Sequence, residues 1–501
     1  MSADAGIRAQ IQRRYQDATG IIKEKSSATT SRDENEEAPG KEADSQDAEQ
    51  RADAGQSLRS LVELSQRLLD LQSCVEEQST EDVTDKPDCI VADLDALINT
   101  ARSQFYVYRL DRLPPVWRDI FSDAHVLTTY HRLLMQTSTG EALGQLLDFL
   151  GEYLDRACIV AGKNAGSLGS KWIDDTMSLL EKWESLEMEK EDRPTKRMRL
   201  GSEASKDLFS SDEPFGRPPV SLEHAIPRHG DWSLEKFEDY MNDSSLQPRP
   251  LIFTNQIQDW PALTDKPWAH RSYLLSKTFR GRRLVPVEIG RSYVDDGWGQ
   301  ELIPFKVFLA KYIDPSSRAM DDPSTVGYLA QHNLFQQIPS LRNDITIPDF
   351  CWASVPLHPS DPSADKPTLD YPQLNAWFGP ARTITPLHTD GYHNLLCQVV
   401  GTKYVRLYSP TVDKEVIRPR GEEMGVSMAN TSELDVGVLE GWDEPGEGLD
   451  KVEVDAMRDD LKGVEYWEGI LEPGDTLLIP IGWWHYVRSL SVSFSVSFWW
   501  N

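Results

Sequence analysis

The chain has 501 residues, 81 of them acidic and 52 basic, for a formal charge of −29. Such a surface excludes non-specific nucleic-acid binding through the bulk field and suits a basic protein or peptide partner, while the length allows two or three domains. Five cysteines without a CxxC pair, an N-terminus without a signal-peptide core and no apolar run of membrane-spanning length predict a reduced intracellular protein, nuclear and/or cytoplasmic, that engages no membrane.

Residues 1–56 are rich in Ala, Ser, Asp, Glu and Lys, with almost no large apolar residue after Ile22, and are expected to be disordered apart from a short helix over Ile7–Tyr15. From Ser57 the pattern changes. Leu58, Leu61, Leu64, Leu68 and Leu71 fall near the i, i+3, i+4 spacing of an amphipathic helix, and the same period returns over Cys89–Leu110, Trp117–Met135, Glu141–Val160 and Ser170–Met188. Residues 57–188 therefore read as an all-α domain, without recognisable chemistry, expected to scaffold or to dock a partner.

A charged linker is expected over 189–220. Its basic cluster Arg193–Leu200 reads equally as a nuclear localisation signal or as a solvated patch. From 221 to 501, helices over Ser233–Met241 and near Arg271–Lys277 accompany many short strands punctuated by Gly and Pro. They include Leu284–Glu288, Gly327–Ala330, Leu374–Trp377, Thr383–His388, Asn394–Val400, Tyr404–Tyr408, Asp475–Ile479 and Ser491–Phe498. Many short strands with such turns mean a sandwich or barrel, so the chain as a whole is α+β. The stretch of about 411–465 is acidic and Gly-rich and reads as a surface insertion.

One tripeptide in this region carries chemistry. His388-Thr389-Asp390 closes a predicted strand, and a side-chain period of two points the imidazole and the carboxylate to one face. One nitrogen and one oxygen ligand are two-thirds of a facial triad for non-haem Fe(II), which leaves positions open for a co-substrate and O2. An HxD alone is weak, because any strand may carry it on the surface. The third ligand is supplied by His485, which follows an apolar strand and the corner Gly482-Trp483-Trp484. Beyond it, Ser491–Phe498 alternates small and large residues, so that the large side chains fill one side and the serines leave space on the other.

Read together, VPVEIG at 285–290, GYLAQH at 327–332, IPDFC at 347–351, NAWFGP at 375–380, TPLHTD at 385–390, GTKYVRLYSP at 401–410 and WHYVRSL with SFSVSFWW within 484–500 resemble the JmjC (jumonji C) family of cupin-fold, 2-oxoglutarate-dependent oxygenases. Within it they are most similar to the JmjC domain-containing protein 5, or lysine-specific demethylase 8, group. The resemblance covers about Leu222–Asn501. It implies a C-terminal double-stranded β-helix, or jelly roll, with flanking helices, and it implies that His388, Asp390 and His485 hold Fe(II) and are catalytic.

It further implies that Lys403 meets the remote carboxylate of 2-oxoglutarate, that Tyr328 and Thr385 donate hydroxyls to it, that Asn394 lies beside its other carboxylate, and that Trp499 walls the co-substrate. Glu288, Trp298 and Trp377 match positions that line a pocket for a cationic side chain. The chain departs from the family pattern just after Asp390, where Gly391-Tyr392-His393 replaces an expected proline. His393 should point away from the metal, and His332 should pack rather than ligate. The leading expectation is hydroxylation of a protein side chain, foremost arginine. Methyl-lysine demethylation is the first alternative, and a catalytically silent binding module is the second.

Overall fold

The computed structural model describes residues 3–35, 45–77, 87–108, 112–139, 141–162, 166–191, 207–230, 232–243, 247–295, 297–314, 326–361, 365–423, 426–446 and 450–501. The basic cluster Arg193–Leu200 lies outside them. The chain divides into two units, Met1–Met198 with Arg282–Leu284, and Arg199–Gly281 with Val285–Asn501.

The first unit is built from six helices: α1 (Ala3–Asn35), α2 (Ser45–Glu77), α3 (Pro87–Val107), α4 (Pro115–Thr139), α5 (Leu143–Ile159) and α6 (Gly169–Glu191). Over residues 3–35 and 45–56, α1 and the start of α2 stand where disorder was expected, and residues 36–44 lie outside the described residues. Ile7, Ile11, Tyr15, Ala18 and Ile22 recur at three or four residues and are all buried, so α1 presents one apolar stripe to α2 and α6. Tyr15 stacks on Tyr130 with ring centroids 5.5 Å apart, and the Arg14 Nε donates to Thr176 Oγ1 at 2.8 Å. A polar composition averaged over the segment conceals five residues on a single face.

In the second unit the strands form two principal sheets. The larger has the order β1 (Arg228–His229), β2 (Leu251–Phe253), β13 (Thr476–Ile479), β8 (His393–Val400), β15 (Ser493–Trp500), β6 (Gln373–Gly379), β5 (Gly327–His332), β3 (Leu284–Ile289) and β4 (Gly299–Pro304). The smaller has the order β12 (Tyr466–Leu471), β9 (Lys403–Tyr408), β14 (Trp484–Ser489) and β7 (Ile384–His388). A short hairpin pairs β10 (Glu422–Glu423) with β11 (Val426–Ser427). The antiparallel pairing of non-consecutive strands is that of a jelly roll. Leu396, Leu477 and Ile479 from the larger sheet meet Val405, Leu407, Leu471 and Val487 from the smaller in the interior.

The alternation in β15 decides which face is which. Phe494, Val496, Phe498 and Trp500 join the core outside the larger sheet. The serines face the interior, where Ser495 Oγ donates to Gln398 Oε1 at 2.6 Å and Ser497 Oγ accepts from the Trp377 indole at 2.9 Å.

Two further expectations are corrected. Of the linker, residues 207–220 belong to the second unit. Asp207 accepts from the Ser272 backbone and hydroxyl, both at 2.7 Å, Phe209 packs against Phe378, and Thr402 donates to Glu213 at 2.6 Å. A fragment starting at Ser221 loses these contacts, about 2–3 kcal/mol from the apolar burial and one net hydrogen bond. It is expected to melt several degrees below a fragment starting at Asp207, and equal melting temperatures by scanning fluorimetry would show that 207–220 contributes nothing. The second correction concerns 411–465, which is more than a surface excursion. Ile417, Leu434, Val436, Val438, Leu439 and Val454 are buried against Ile384, Tyr404, Trp484 and Tyr486 on the outer face of the smaller sheet.

Candidate metal centre and co-substrate cavity

β7 and β14 pair so that His388 lies directly opposite His485, with imidazole centroids 4.0 Å apart. Asp390 reaches the same point with Oδ1 3.8 Å from His388 Nε2 and Oδ2 3.5 Å from His485 Nε2. β7 ends at His388, so Asp390 arrives from the turn beyond the strand rather than by strand alternation. Gly482, at φ +77°, makes the corner ahead of His485; a Cβ there would fall on the His358 ring. The Gly482 amide donates to the Asp390 carbonyl at 3.3 Å, which ties the corner to the turn.

The ring orientations favour a cation. His388 Nδ1 lies 2.8 Å from the Pro386 carbonyl and His485 Nδ1 lies 3.0 Å from the Trp483 carbonyl. A carbonyl can only accept, so each Nδ1–H donates and each Nε2 lone pair is left facing Asp390. Two lone pairs and a carboxylate thus converge, with ligand atoms all within 4.8 Å of one another. Burial, then the neighbouring His485, pushes the His388 imidazole down to about 4, so it stays neutral. Burial alone raises the Asp390 carboxyl, but hydrogen bonding within the site, that of the Asn394 amide included, outweighs it and holds the group below the usual range. The set of two nitrogens and one oxygen suits non-haem Fe(II).

A cavity opens from this point, lined by Tyr328, Trp377, Thr385, Asn394 and Lys403 together with the three ligands and the apolar side chains of Leu396, Ile479 and Val487. Lys403 is 1% exposed, and its Nζ donates to the Tyr328 hydroxyl at 3.3 Å. Burial pushes the ammonium down to about 7. Tyr328 also hydrogen-bonds Thr385. A buried cation resting on a neutral phenol demands an anion, and a dicarboxylate with one end at the metal and the other at Lys403 satisfies both. The residues present therefore fit 2-oxoglutarate. Asn394 bonds Asp390 through its side chain, and its Oδ1 is left without a partner.

Trp499 shares the interior face with Asn394, its cross-strand partner, but it stacks on Tyr392 at 5.9 Å and lies outside the cavity wall. Trp377 lies beside Tyr328, rings 6.1 Å apart. Glu288 faces Tyr328 across the β3–β5 pair and accepts a hydrogen bond from the Trp298 indole; burial raises its carboxyl to about 7. Trp298 itself is 40% exposed. His393 sits on the outer face, bound to the Pro356 carbonyl and the Ile481 amide, and His332 bonds Gln337, so neither ligates.

Two residues escaped the sequence. Tyr293 places its hydroxyl 3.2 Å from Thr431 Oγ1, where burial raises it to about 12, with Asp390 and Glu288 adding their charge. Thr431 pairs with His388 itself. No spacing in the sequence points from the insertion to the metal.

Comparison with known proteins agrees with this geometry. A family profile described as a cupin-like domain matches residues 236–501. The chain is 40% identical over 264 residues, 53% of its own length and 52% of the relative's, to the "Lysine-specific demethylase JMJ30" of Arabidopsis thaliana. It is 38% identical over 301 residues, 58% and 64% of the two chains, to the "Lysine-specific demethylase 8" of Danio rerio. With the "Jumonji C domain-containing protein 5" of Drosophila melanogaster it shares 32% identity over 410 residues, 81% of this chain and 86% of the relative. The chain spans about half to two-thirds of the length of the first two relatives.

Proposed function

Because the chain belongs to the JmjC family of cupin-like proteins, which are Fe(II)- and 2-oxoglutarate-dependent oxygenases, we propose that it hydroxylates a protein side chain, foremost arginine. When bound, the metal and co-substrate supply an oxidant that inserts one atom of O2 into a C–H bond while 2-oxoglutarate is decarboxylated to succinate. His388, Asp390 and His485 would hold the metal, Lys403 and Tyr328 would anchor the remote carboxylate, and Thr385 would fix the Tyr328 hydroxyl. Asn394 would orient Asp390. The apolar walls Leu396, Ile479 and Val487 keep bulk water from the reacting end.

The observation that carries the arginine reading is the Glu288–Trp298 pair. The indole N–H holds the carboxylate in place, while a planar guanidinium can meet that carboxylate in a bidentate pair and stack on an indole face. Methylation of an ammonium removes the donors a carboxylate would use. The demethylase names of the relatives favour the alternative, oxidation of a methyl carbon on lysine with release of formaldehyde. A protein or peptide substrate with a basic side chain suits both, and five unpaired cysteines support a nuclear or cytoplasmic setting.

Incubation with arginine-containing basic peptides, read by mass spectrometry, separates the two. A gain of one oxygen on arginine is expected. Formaldehyde and demethylated lysine with arginine untouched would overturn the reading. The same assay has a pH signature. In the empty pocket Glu288 is protonated below about 7 and must lose that proton to pair with guanidinium, so peptide KM should rise as pH falls through 7, by up to about tenfold per unit.

A further inference from the structure

Between β3 and β4, the described residues 290–295 and 297–298 carry Tyr293 and Trp298, and carboxylates of the insertion anchor the first of these stretches. Arg291 grips Asp295 within the loop through Nε and Nη2, at 2.9 and 3.0 Å. Its Nη1 lies 3.0 Å from Asp443 Oδ2, and its Nη2 lies 3.3 Å from Asp435. The same Asp443 oxygen receives Arg488 Nη1 at 2.5 Å. Arg488 stands three residues after His485 on β14. One carboxylate with a 1% exposed side chain therefore lies between the guanidinium of the loop and that of the ligand strand.

The backbone is shaped around this contact. A Cβ on Gly437 would fall on Asp443 Oδ2, so the turn above it must be bare. Asp435 caps the following turn by accepting from the Gly437 and Val438 amides while also meeting Arg291. The loop backbone joins in, since the Arg291 carbonyl accepts from the Ile384 amide at 3.1 Å. Two guanidiniums sharing one buried carboxylate oxygen are a poor way to gain stability over an apolar contact, because each charge must be desolvated. They do fix registration, since a shift of either the loop or β14 would take one guanidinium away from a carboxylate that is buried between them.

We propose that Asp443 is a positioning residue: acting through Arg291 and Arg488, it holds the 290–298 loop, and with it the Glu288–Trp298 pair, in register with the strand that carries His485. This rests on the reading of Glu288 and Trp298 as the pocket for the target side chain. Asp443 is neither one of the three converging ligands nor part of the cavity lining, so its loss should act on the protein substrate.

The test compares Asp443→Asn, Arg291→Gln, Arg291→Lys and Glu288→Gln in the full chain, using a basic arginine-containing peptide that the parent protein turns over. Asp443→Asn and Arg291→Gln are expected to speed deuterium uptake in 290–298 and to raise peptide KM about tenfold or more. Arg291→Lys, which keeps the charge and loses the fork, should fall between. Succinate release without peptide and 2-oxoglutarate affinity should be unchanged for Asp443→Asn. Unaltered uptake in 290–298 in every folded variant would overturn the proposal, as would faster uptake with an unchanged KM while Glu288→Gln raises it. If Glu288→Gln also leaves KM unchanged while uptake in 290–298 rises, the holding of the loop is supported and the pocket reading fails instead. Should Asp443→Asn not fold, the two Arg291 variants carry the same comparison.

Discussion

Asp390→Ala in the full chain is expected to abolish Fe(II) binding and peptide-dependent succinate release while the protein remains folded. The converging acceptors explain the first half. His388 and His485 each commit Nδ1 to a backbone carbonyl, so they cannot turn to compensate, and two nitrogens without the carboxylate leave the metal two ligands instead of three. The variant should still melt cooperatively without metal, because Asp390 lies in the turn beyond β7 and belongs to no apolar cluster of the core. Fe(II) titration under anaerobic conditions, scanning fluorimetry and a succinate assay read these outcomes, and normal succinate release would falsify the triad.

Lys403→Met should move stability and binding in opposite directions. An ammonium pushed from 10.5 to about 7 by burial costs the empty protein roughly 3–5 kcal/mol near neutral pH, at about 1.4 kcal/mol per unit. The sign follows from the protons bound. Between 7 and 10.5 the unfolded chain holds one proton more than the folded chain, so the penalty is complete below about 7 and fades as pH rises to 10.5. Methionine fills the same space without the charge and should raise the melting temperature at pH 7. It should also weaken 2-oxoglutarate by about one to two decades, the 1.5–3 kcal/mol of a hydrogen bond to a charged group. In the parent protein, binding at pH 8 must return a proton to Lys403. Calorimetry in buffers of different ionisation enthalpy should record uptake approaching one proton, with affinity falling as pH climbs above 7. A destabilised methionine variant that binds 2-oxoglutarate normally would sink this role for the lysine.

Those two residues also mark what the sequence made legible. His388 closes a strand that was legible as one, whereas Lys403 and His485 lie on β9 and β14 at positions the strand reading passed over, and they were placed by motif rather than by period. The Ser/Phe alternation of β15 placed the aromatics in the outer core and the hydroxyls inside. Asp390 was identified for a reason that does not hold, since it leaves the strand before its side chain turns inward. β12, β14 and β4 were missed, the first because Tyr466–Leu471 follows a stretch dominated by acidic residues and glycine. α1 was missed because five apolar residues spread over one face vanish in a compositional average. Tyr293, Thr431 and Asp443 share a deeper obstacle. Each matters through a partner more than 130 residues away in sequence, as in Tyr293 with Thr431, and no local period encodes such a meeting.

The smaller sheet has two margins, and neither is open. Along β7, the Ser432 amide donates to the Leu387 carbonyl and the Thr389 amide to the Asn430 carbonyl, both at 2.8 Å. Along β12, the Ile226 amide donates to the Glu468 carbonyl at 2.9 Å, and Glu468 donates to the His224 carbonyl at 2.8 Å. A bare margin on β7 would offer a template for strand addition by another molecule, on the very strand that ends in a metal ligand. With 430–432 seated there, intermolecular pairing must first peel away a short irregular segment, and the ligand geometry is shielded from domain swapping. The acidic segment thus protects the centre by occupying hydrogen bonds that a neighbour would otherwise take.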